Sequence, residues 1–427
     1  MAFPSRPVCV DLFAGAGGMS LGFEQAGFDV ACAVEIDPVH CAVHKYNFPS
    51  SAVICADVEE LTAEEIRSRG GIGKRKVTAV VGGSPCQGFS MIGKRSLDDP
   101  RNALVGHFMR LVAELDADYF VLENVKGLTI GKHKTFLDEV VEGFRAADYE
   151  IQLPWKVLNA ANFGVPQHRE RLFLIGAKKG LRLPAYPDPV FNAPKARKPI
   201  SGLPAGPTVA DALGDLPDAG RFPELFGTDT VKAEYGKPSA YASVLRGLAD
   251  DPEDFSAPRP IPAGVLSSSA RAAHNETTVR RFSETEPGKV EPVSRFLRLD
   301  PEGVCNTLRA GTGRERGAFT AARPIHPFYP RCITVREMAR LHSYPDWFRF
   351  NWTKWHGARE VGNSVPPLLA RAVARSIMAA SGRMPSKPSN MVTPGPEFLL
   401  RMDSTDALAY FDGNQSFNNV DSLRRAS

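Results

Sequence analysis

Along the first half of the chain, short apolar runs alternate with segments of helical period, and each run stops at a residue suited to chemistry. Val8-Cys9-Val10 leads into Asp11-Leu12-Phe13-Ala14-Gly15-Ala16-Gly17-Gly18, and an amphipathic segment begins at Met19. Residues 29–34 end in Glu35-Ile36-Asp37, and residues 52–56 end in Asp57. Residues 78–81 open into Gly82-Gly83-Ser84-Pro85-Cys86-Gln87-Gly88-Phe89-Ser90, and residues 118–122 end in Glu123-Asn124-Val125. Apolar runs separated by helical patterns predict an α/β fold, a mainly parallel sheet with helices on both faces. Ligands of such sheets bind at the carboxyl ends of the strands. Five successive strands here bring glycine, carboxylate, carboxylate, thiol and carboxylate to that edge.

Each of these residues also has a plainer reading. Cys86 follows a proline on a Gly-built loop, which displays a thiol, although a lone cysteine is often a small core residue. Gly15-x-Gly17-Gly18 departs from the GxGxxG fingerprint and could be a tight turn alone. Glu35 lies about 20 residues further on, at the end of the second strand, where an acid accepts hydrogen bonds from ribose hydroxyls. Turn and acid together indicate an adenosine-bearing cofactor without separating a nicotinamide dinucleotide from S-adenosylmethionine. Glu123 could be a strand-end acid facing a helix N-terminus. Gln167, Arg169 and Arg171 are spaced by two ahead of the apolar residues 172–175, so a strand there puts both arginines on one face. A solvated basic edge strand has the same spacing.

Composition narrows the class. The 427 residues suffice for two domains, 23% are charged, and the net charge of +4 permits a nucleic-acid partner without requiring one. Seven scattered cysteines without a CxxC pair argue against a disulfide framework or a zinc ribbon. Cys41 and His44 have no second ligand pair at metal spacing, so no metal is expected. The N-terminus lacks a signal-peptide pattern, and no apolar run of about 18 residues occurs. These features point to a cytoplasmic protein without a membrane partner. From Leu181 onward prolines break regular structure, and residues 259–331 are rich in arginine, which suits phosphates and guanine edges. The segment after Ser381 is rich in Pro, Ser, Asn and Asp and reads as a loosely ordered tail.

Taken in order, residues 11–18, Ser84-Pro85-Cys86-Gln87, Glu123-Asn124-Val125, Gln167-His168-Arg169-Glu170-Arg171, residues 334–341 and Gly362-Asn363-Ser364-Val365-Pro366 resemble the motifs of DNA cytosine-5 methyltransferases. The resemblance covers roughly residues 8–180 and 325–380. Ser84 departs from it, since many members carry proline there. It implies a Rossmann-like S-adenosylmethionine-dependent catalytic domain over 1–182. A smaller, irregular target-recognition domain follows over 183–328, then a segment over 329–381 that rejoins the first domain, and a tail over 382–427.

The resemblance assigns catalysis to Cys86, Glu123, Arg169 and Arg171. It assigns the S-adenosyl-L-methionine site to Phe13, Ala14, Gly15, Gly18, Glu35, Ile36, Asp57, Val58, Pro85, Asn363 and Val365. Gln87, Ser90, Gln167, Thr307, Arg309, Arg314 and Arg316 are expected to face double-stranded DNA. The implied reaction is methyl transfer to carbon 5 of a flipped cytosine, in a restriction–modification or defence setting with a cognate endonuclease and nucleoid association. An RNA (tRNA) cytosine-5 methyltransferase and a catalytically silent DNA-binding homologue remain alternatives. No residue clearly owns removal of the carbon-5 proton.

Overall fold

The computed structural model describes residues 6–84, 103–129, 133–311 and 324–413. The first half alternates as the apolar runs foretell: β1 (Val8–Leu12), α1 (Gly18–Gln25), β2 (Asp29–Glu35), α2 (Pro38–Asn47), β3 (Ala52–Cys55), α3 (Ala63–Arg69), β4 (Val77–Gly83), α4 (Ala103–Glu114), β5 (Tyr119–Val125) and α5 (His133–Ala146). Three more strands follow, the short β6 (Tyr149–Ile151) and β7 (Lys156–Asn159) and the nine-residue β8 (Glu170–Lys178). Among the described residues they complete an eight-stranded sheet of order β3-β2-β1-β4-β5-β8-β6, with β7 also paired to β8. β1 to β5 are mutually parallel, and β8 runs antiparallel to its neighbours. The order reverses between β1 and β4, the kind of switch point that opens a crevice at the strand ends.

β8 starts at Glu170, so Gln167 and Arg169 precede the strand and do not share its face by alternation, as the spacing had suggested. The residues of β1 are all buried because both faces of the sheet are covered. On one face Phe108, Phe120 and Phe144 pack under α4 and α5. On the other, α1 lies against a helix from the C-terminal part of the chain through Phe23, Leu369, Val373 and Ile377.

The middle of the chain is irregular and holds α6 (Val209–Leu213), β9 (Val231–Lys232), α7 (Ala240–Leu245), β10 (Val265–Leu266) and α8 (Glu276–Glu284). After it come α9 (Val335–Leu341), α10 (Lys354–Asn363), α11 (Pro367–Ala380) and α12 (Ser404–Phe411). A further core joins these parts: Leu213, Leu225 and Leu299 pack with Met338 and Leu341 of α9, with Phe348 and Phe350, and with Val43 and Phe48 from the α2 region. Arg340, fully buried, donates to Asp346 at 2.5 and 2.7 Å, to Asp215 at 3.1 Å and to the Ala212 carbonyl at 3.1 Å. That network pins α6 to α9.

The loosely ordered tail expected after Ser381 is not what the structure has up to residue 413. Leu399, Leu400, Met402 and Ala407 are buried in the same core, and α12 packs on α2. The Trp352 N–H donates to the Leu400 carbonyl at 3.0 Å. A few apolar residues spaced among polar ones suffice to dock a segment, which composition alone hides.

α1 and α11 approach so closely that a Cβ at Gly22 would lie 2.4 Å from the Ala370 Cβ and 2.6 Å from the Arg371 backbone nitrogen. Gly22→Ala therefore forces the helices apart despite its gain in helix propensity. It is expected to lower stability by about 1–3 kcal/mol in denaturant titration. An unchanged unfolding midpoint would refute this packing.

Candidate active site

At the carboxyl edge of β1, β2, β4 and β5 lies a cavity of about 610 Å³. The turn after β1 supplies Phe13, Ala14 and Gly15, and α1 begins with Gly18. A Cβ on Gly18 would lie 2.4 Å from the Val365 carbonyl oxygen, so only glycine lets the far segment close over the turn. Glu35 is held by three backbone donors: Gly15 N–H at 2.8 Å on one oxygen, Ile36 N–H at 3.0 Å and Asp37 N–H at 2.9 Å on the other. Ile36 beside it is 62% exposed, an apolar surface left open at the cavity. Asn363 and Val365, from the end of α10 and just beyond, complete this side.

The opposite end of the cavity carries Glu123 with both arginines. Arg171 Nε lies 2.9 Å from Glu123 Oε1. Burial raises the Glu123 carboxyl above its ordinary range, while Arg171 and Arg169 pull it back. The two arginines divide their work. Arg169 is 1% exposed and donates to the carbonyls of Leu308 at 2.9 Å, Gly362 at 2.9 Å and Ser364 at 2.8 Å. It ties the middle region and the α10–α11 junction to the sheet.

Asn124 secures the exit of β4: its amide donates to the Ser84 carbonyl and hydroxyl, each at 3.3 Å. The hydroxyl is available because this chain has serine where proline is common in the resembling motif. A second cavity of about 520 Å³ adjoins the first, sharing Val125 and Arg171 and reaching Lys126, His168 and Thr307. The Thr307 hydroxyl donates to the His168 carbonyl at 2.7 Å, and Arg309 is exposed two residues on.

Several expectations need correction. Gln167 is not at a DNA-facing surface. It is fully buried, donating to the Leu341 carbonyl at 3.1 Å, sharing a 2.9 Å hydrogen bond with His342 and accepting from Leu308 N–H at 3.1 Å. Asp57 and Val58 do not line the cavity; Asp57 accepts from Glu59 N–H at 3.0 Å and Val58 is packed in the core. Pro85, Cys86, Gln87, Ser90, Arg314 and Arg316 lie outside the described residues.

The cavity also holds residues that spacing did not single out, among them Asp11, His40 and Glu360. Asp11 is buried, and burial pushes its carboxyl up to about 7 against the Ser20 hydroxyl, which donates to it at 2.6 Å. Its place at the end of β1 was the available signal.

The sequence profile of the C-5 cytosine-specific DNA methylase family matches residues 8–379. The chain is 57% identical over 407 residues to the Type II methyltransferase M.XorII of Xanthomonas oryzae pv. oryzae, covering 95% of this chain and 93% of that protein. It is 35% identical to the Type II methyltransferase M1.HphI of Haemophilus parahaemolyticus, covering 86% of each. Among solved structures, a protein described as a DNA modification methyltransferase encoded within an E. coli prophage superposes with a TM-score of 0.71. It is 33% identical over 88% of this chain and 100% of that one. The S. pombe Dnmt2 methyltransferase, 17% identical with a TM-score of 0.52 over 88% of this chain and 99% of that one, shares the fold. Among the described residues no helix is long and apolar enough to cross a membrane.

Arg169→Leu would leave the buried Leu308 and Gly362 carbonyls without this donor, the Ser364 carbonyl with His342 Nε2 at 3.1 Å, and Glu123 without one counter-charge. A loss of at least about 3 kcal/mol in equilibrium unfolding is expected. A loss below about 1 kcal/mol would show that the clamp is dispensable.

Proposed function

The chain belongs to the C-5 cytosine-specific DNA methylase family, and on that premise we propose a mechanism and a substrate for its methyl transfer. The substrate is a cytosine within a specific sequence of duplex DNA, turned out of the helix so that both faces of the ring can be reached. The relatives' designation as Type II methyltransferases supports a restriction–modification setting with a cognate endonuclease.

S-adenosylmethionine fits one end of the cavity. The Glu35 carboxylate, oriented by three N–H donors, faces ribose hydroxyls, exposed Ile36 offers a surface for adenine, and Gly15, Gly18, Asn363 and Val365 border the amino-acid end. When bound, this cofactor supplies an electrophilic methyl group on a sulfonium.

Carbon 5 of cytosine is too weak a nucleophile to take that methyl unaided. Cys86 is proposed as the thiolate that adds to carbon 6, which moves an electron pair through the ring towards carbon 5 and nitrogen 3. Ser84, two residues earlier, lines the cavity, and two residues of chain reach at most about 7 Å. Glu123 protonates or hydrogen-bonds nitrogen 3 as density accumulates there, with Arg171 fixing the orientation of its carboxyl. Once carbon 5 carries the methyl group, loss of its proton forms the carbon 5–carbon 6 double bond and expels the Cys86 thiolate, and nitrogen 3 returns its proton to Glu123. The observation that carries this reading is a buried carboxyl with a raised pKa, ion-paired to Arg171, in the same cavity as the Glu35 end.

Cys86→Ala is expected to abolish methylation of duplex DNA while S-adenosylhomocysteine binding, followed by calorimetry, stays within about twofold. Residual turnover in that variant would exclude the thiolate, and methylation of tRNA but not of duplex DNA would overturn the substrate. DNA with 5-fluorocytosine at the target should trap a covalent adduct to Cys86, since fluorine cannot leave as a proton.

The pH dependence has a definite sign. The proton-bearing form of Glu123 prevails below its folded pKa, so turnover falls as pH rises through that value, which burial places above the ordinary carboxyl range. Arg171→Gln removes a charge that favours ionisation. The alkaline limb of the kcat–pH profile should therefore move upward even as the maximal rate drops. A limb that stays fixed or moves down would exclude Glu123 as its source.

A further inference from the structure

Glu360 sits inside the cavity and has no role in the mechanism above. It lies on α10, three residues before Asn363 and so on the same helix face, and it is 1% exposed. One oxygen, Oε2, accepts from Asn351 N–H at 2.9 Å, and the other, Oε1, has no hydrogen-bond partner among the described residues. A buried carboxyl oxygen left without a partner is costly, and in a residue that borders a ligand cavity it points to a donor supplied by the ligand.

We propose that Glu360 is a cofactor-positioning residue whose Oε1 accepts a hydrogen bond from the α-ammonium group of the cofactor's amino-acid end. This rests on the reading of the cavity as an S-adenosylmethionine site. The chemistry of that molecule leaves few alternatives. Its sulfonium has no hydrogen to donate, its ribose hydroxyls face Glu35, and its adenine amino group belongs to the Ile36 side of the cavity. The ammonium is a compact cation with three donors and no acceptor, which suits a carboxylate.

The surroundings agree with a cation. Asp37, which caps α2 at the Val39 and His40 N–H groups, also lines the cavity, and its charge acts on Glu360; Arg359 opposes it from the same helix as Glu360. Tyr344 is the neighbouring phenol, and His40 adds a buried Nε2 without a hydrogen bond, 3.8 Å from Asp37 Oδ2. Burial pushes the Glu360 carboxyl up to about 8, against the pull of Asn351 N–H. At pH 7 it is therefore mostly protonated, and accepting a cation requires it to release that proton.

Calorimetry in buffers of different ionisation heat reads this directly. At pH 7, S-adenosylhomocysteine, which keeps the ammonium, should displace close to one proton from the wild-type protein, and at pH 9 almost none. Glu360→Gln should remove that release and weaken S-adenosylhomocysteine by about tenfold, while 5′-methylthioadenosine, which lacks the amino-acid end, binds both proteins equally. A proton contributed by Asp11 instead would persist in the variant and count against the proposal. So would proton uptake, an unchanged Kd, or equal weakening of both ligands. Failure of the wild-type protein to bind either ligand would instead sink the cofactor reading itself.

Discussion

The guanidinium of Arg169 is the constraint on which the cavity depends. Three parts of the chain must meet there: the sheet, the middle region at Leu308 and the α10–α11 junction at Gly362 and Ser364, up to 195 positions apart in sequence. Arginine suits this task because its planar fork offers several donors in fixed directions. Taking a cation into the interior is expensive, and the expense is offset here by three carbonyls together with the nearby Glu123 carboxylate. The same charge thus closes the wall of the cavity and moderates the acid inside it. Arg171, two residues on, makes no hydrogen bond to the far segments among the described residues and pairs with the Glu123 carboxyl.

The sheet supplies the rest of the geometry. Parallel pairing from β1 to β5 points all five carboxyl ends one way, and the reversal between β1 and β4 parts the flanking helices there. α1 can tilt its start against Val365 because Gly18 and Gly22 leave no side chain between it and the segment that returns from the other end of the chain. Fold and site are linked in this respect: the close α1–α11 contact positions Asn363 and Val365 as well as burying apolar surface.

Much of this was legible in the sequence for a physical reason. Strands buried on both faces must be continuously apolar, so their ends stand out, and the chemistry at those ends is where Glu35, Ser84 and Glu123 lie. Short antiparallel strands such as β6 and β7 have too few residues to show a period. Gln167 was misread because its spacing from Arg169 and Arg171 says nothing of which side chain is covered; three buried hydrogen bonds decide that. The C-terminal segment was misread because composition averages over Leu399, Leu400 and Met402, which dock it. Glu360 was silent for a related reason, since an acid inside a cavity and an acid on a surface look alike in one dimension.

Two acids, Asp11 and Glu360, set the electrostatic character of the cavity. Each has a folded pKa raised by burial, to about 7 for Asp11 and about 8 for Glu360. A carboxyl raised in this way binds its proton more tightly folded than unfolded, so it favours the fold at low pH and weakens it as pH rises. At pH 7 this opposes folding by roughly 4 kcal/mol for Asp11 and roughly 3 kcal/mol for Glu360. Glu337 has the opposite sign: burial opposes its ionisation, but Arg331 beside it holds its carboxyl down to about 2, so it stabilises the fold above the ordinary carboxyl range. The opposition is spatially separated, with the stabilising acid in the framework around α9 and the destabilising ones in the cavity. A cation entering the cavity relieves the second kind and leaves the first untouched. Electrostatic strain at the two cavity acids thereby becomes binding energy for a positively charged ligand, and its value grows as pH rises towards that of the cavity acids.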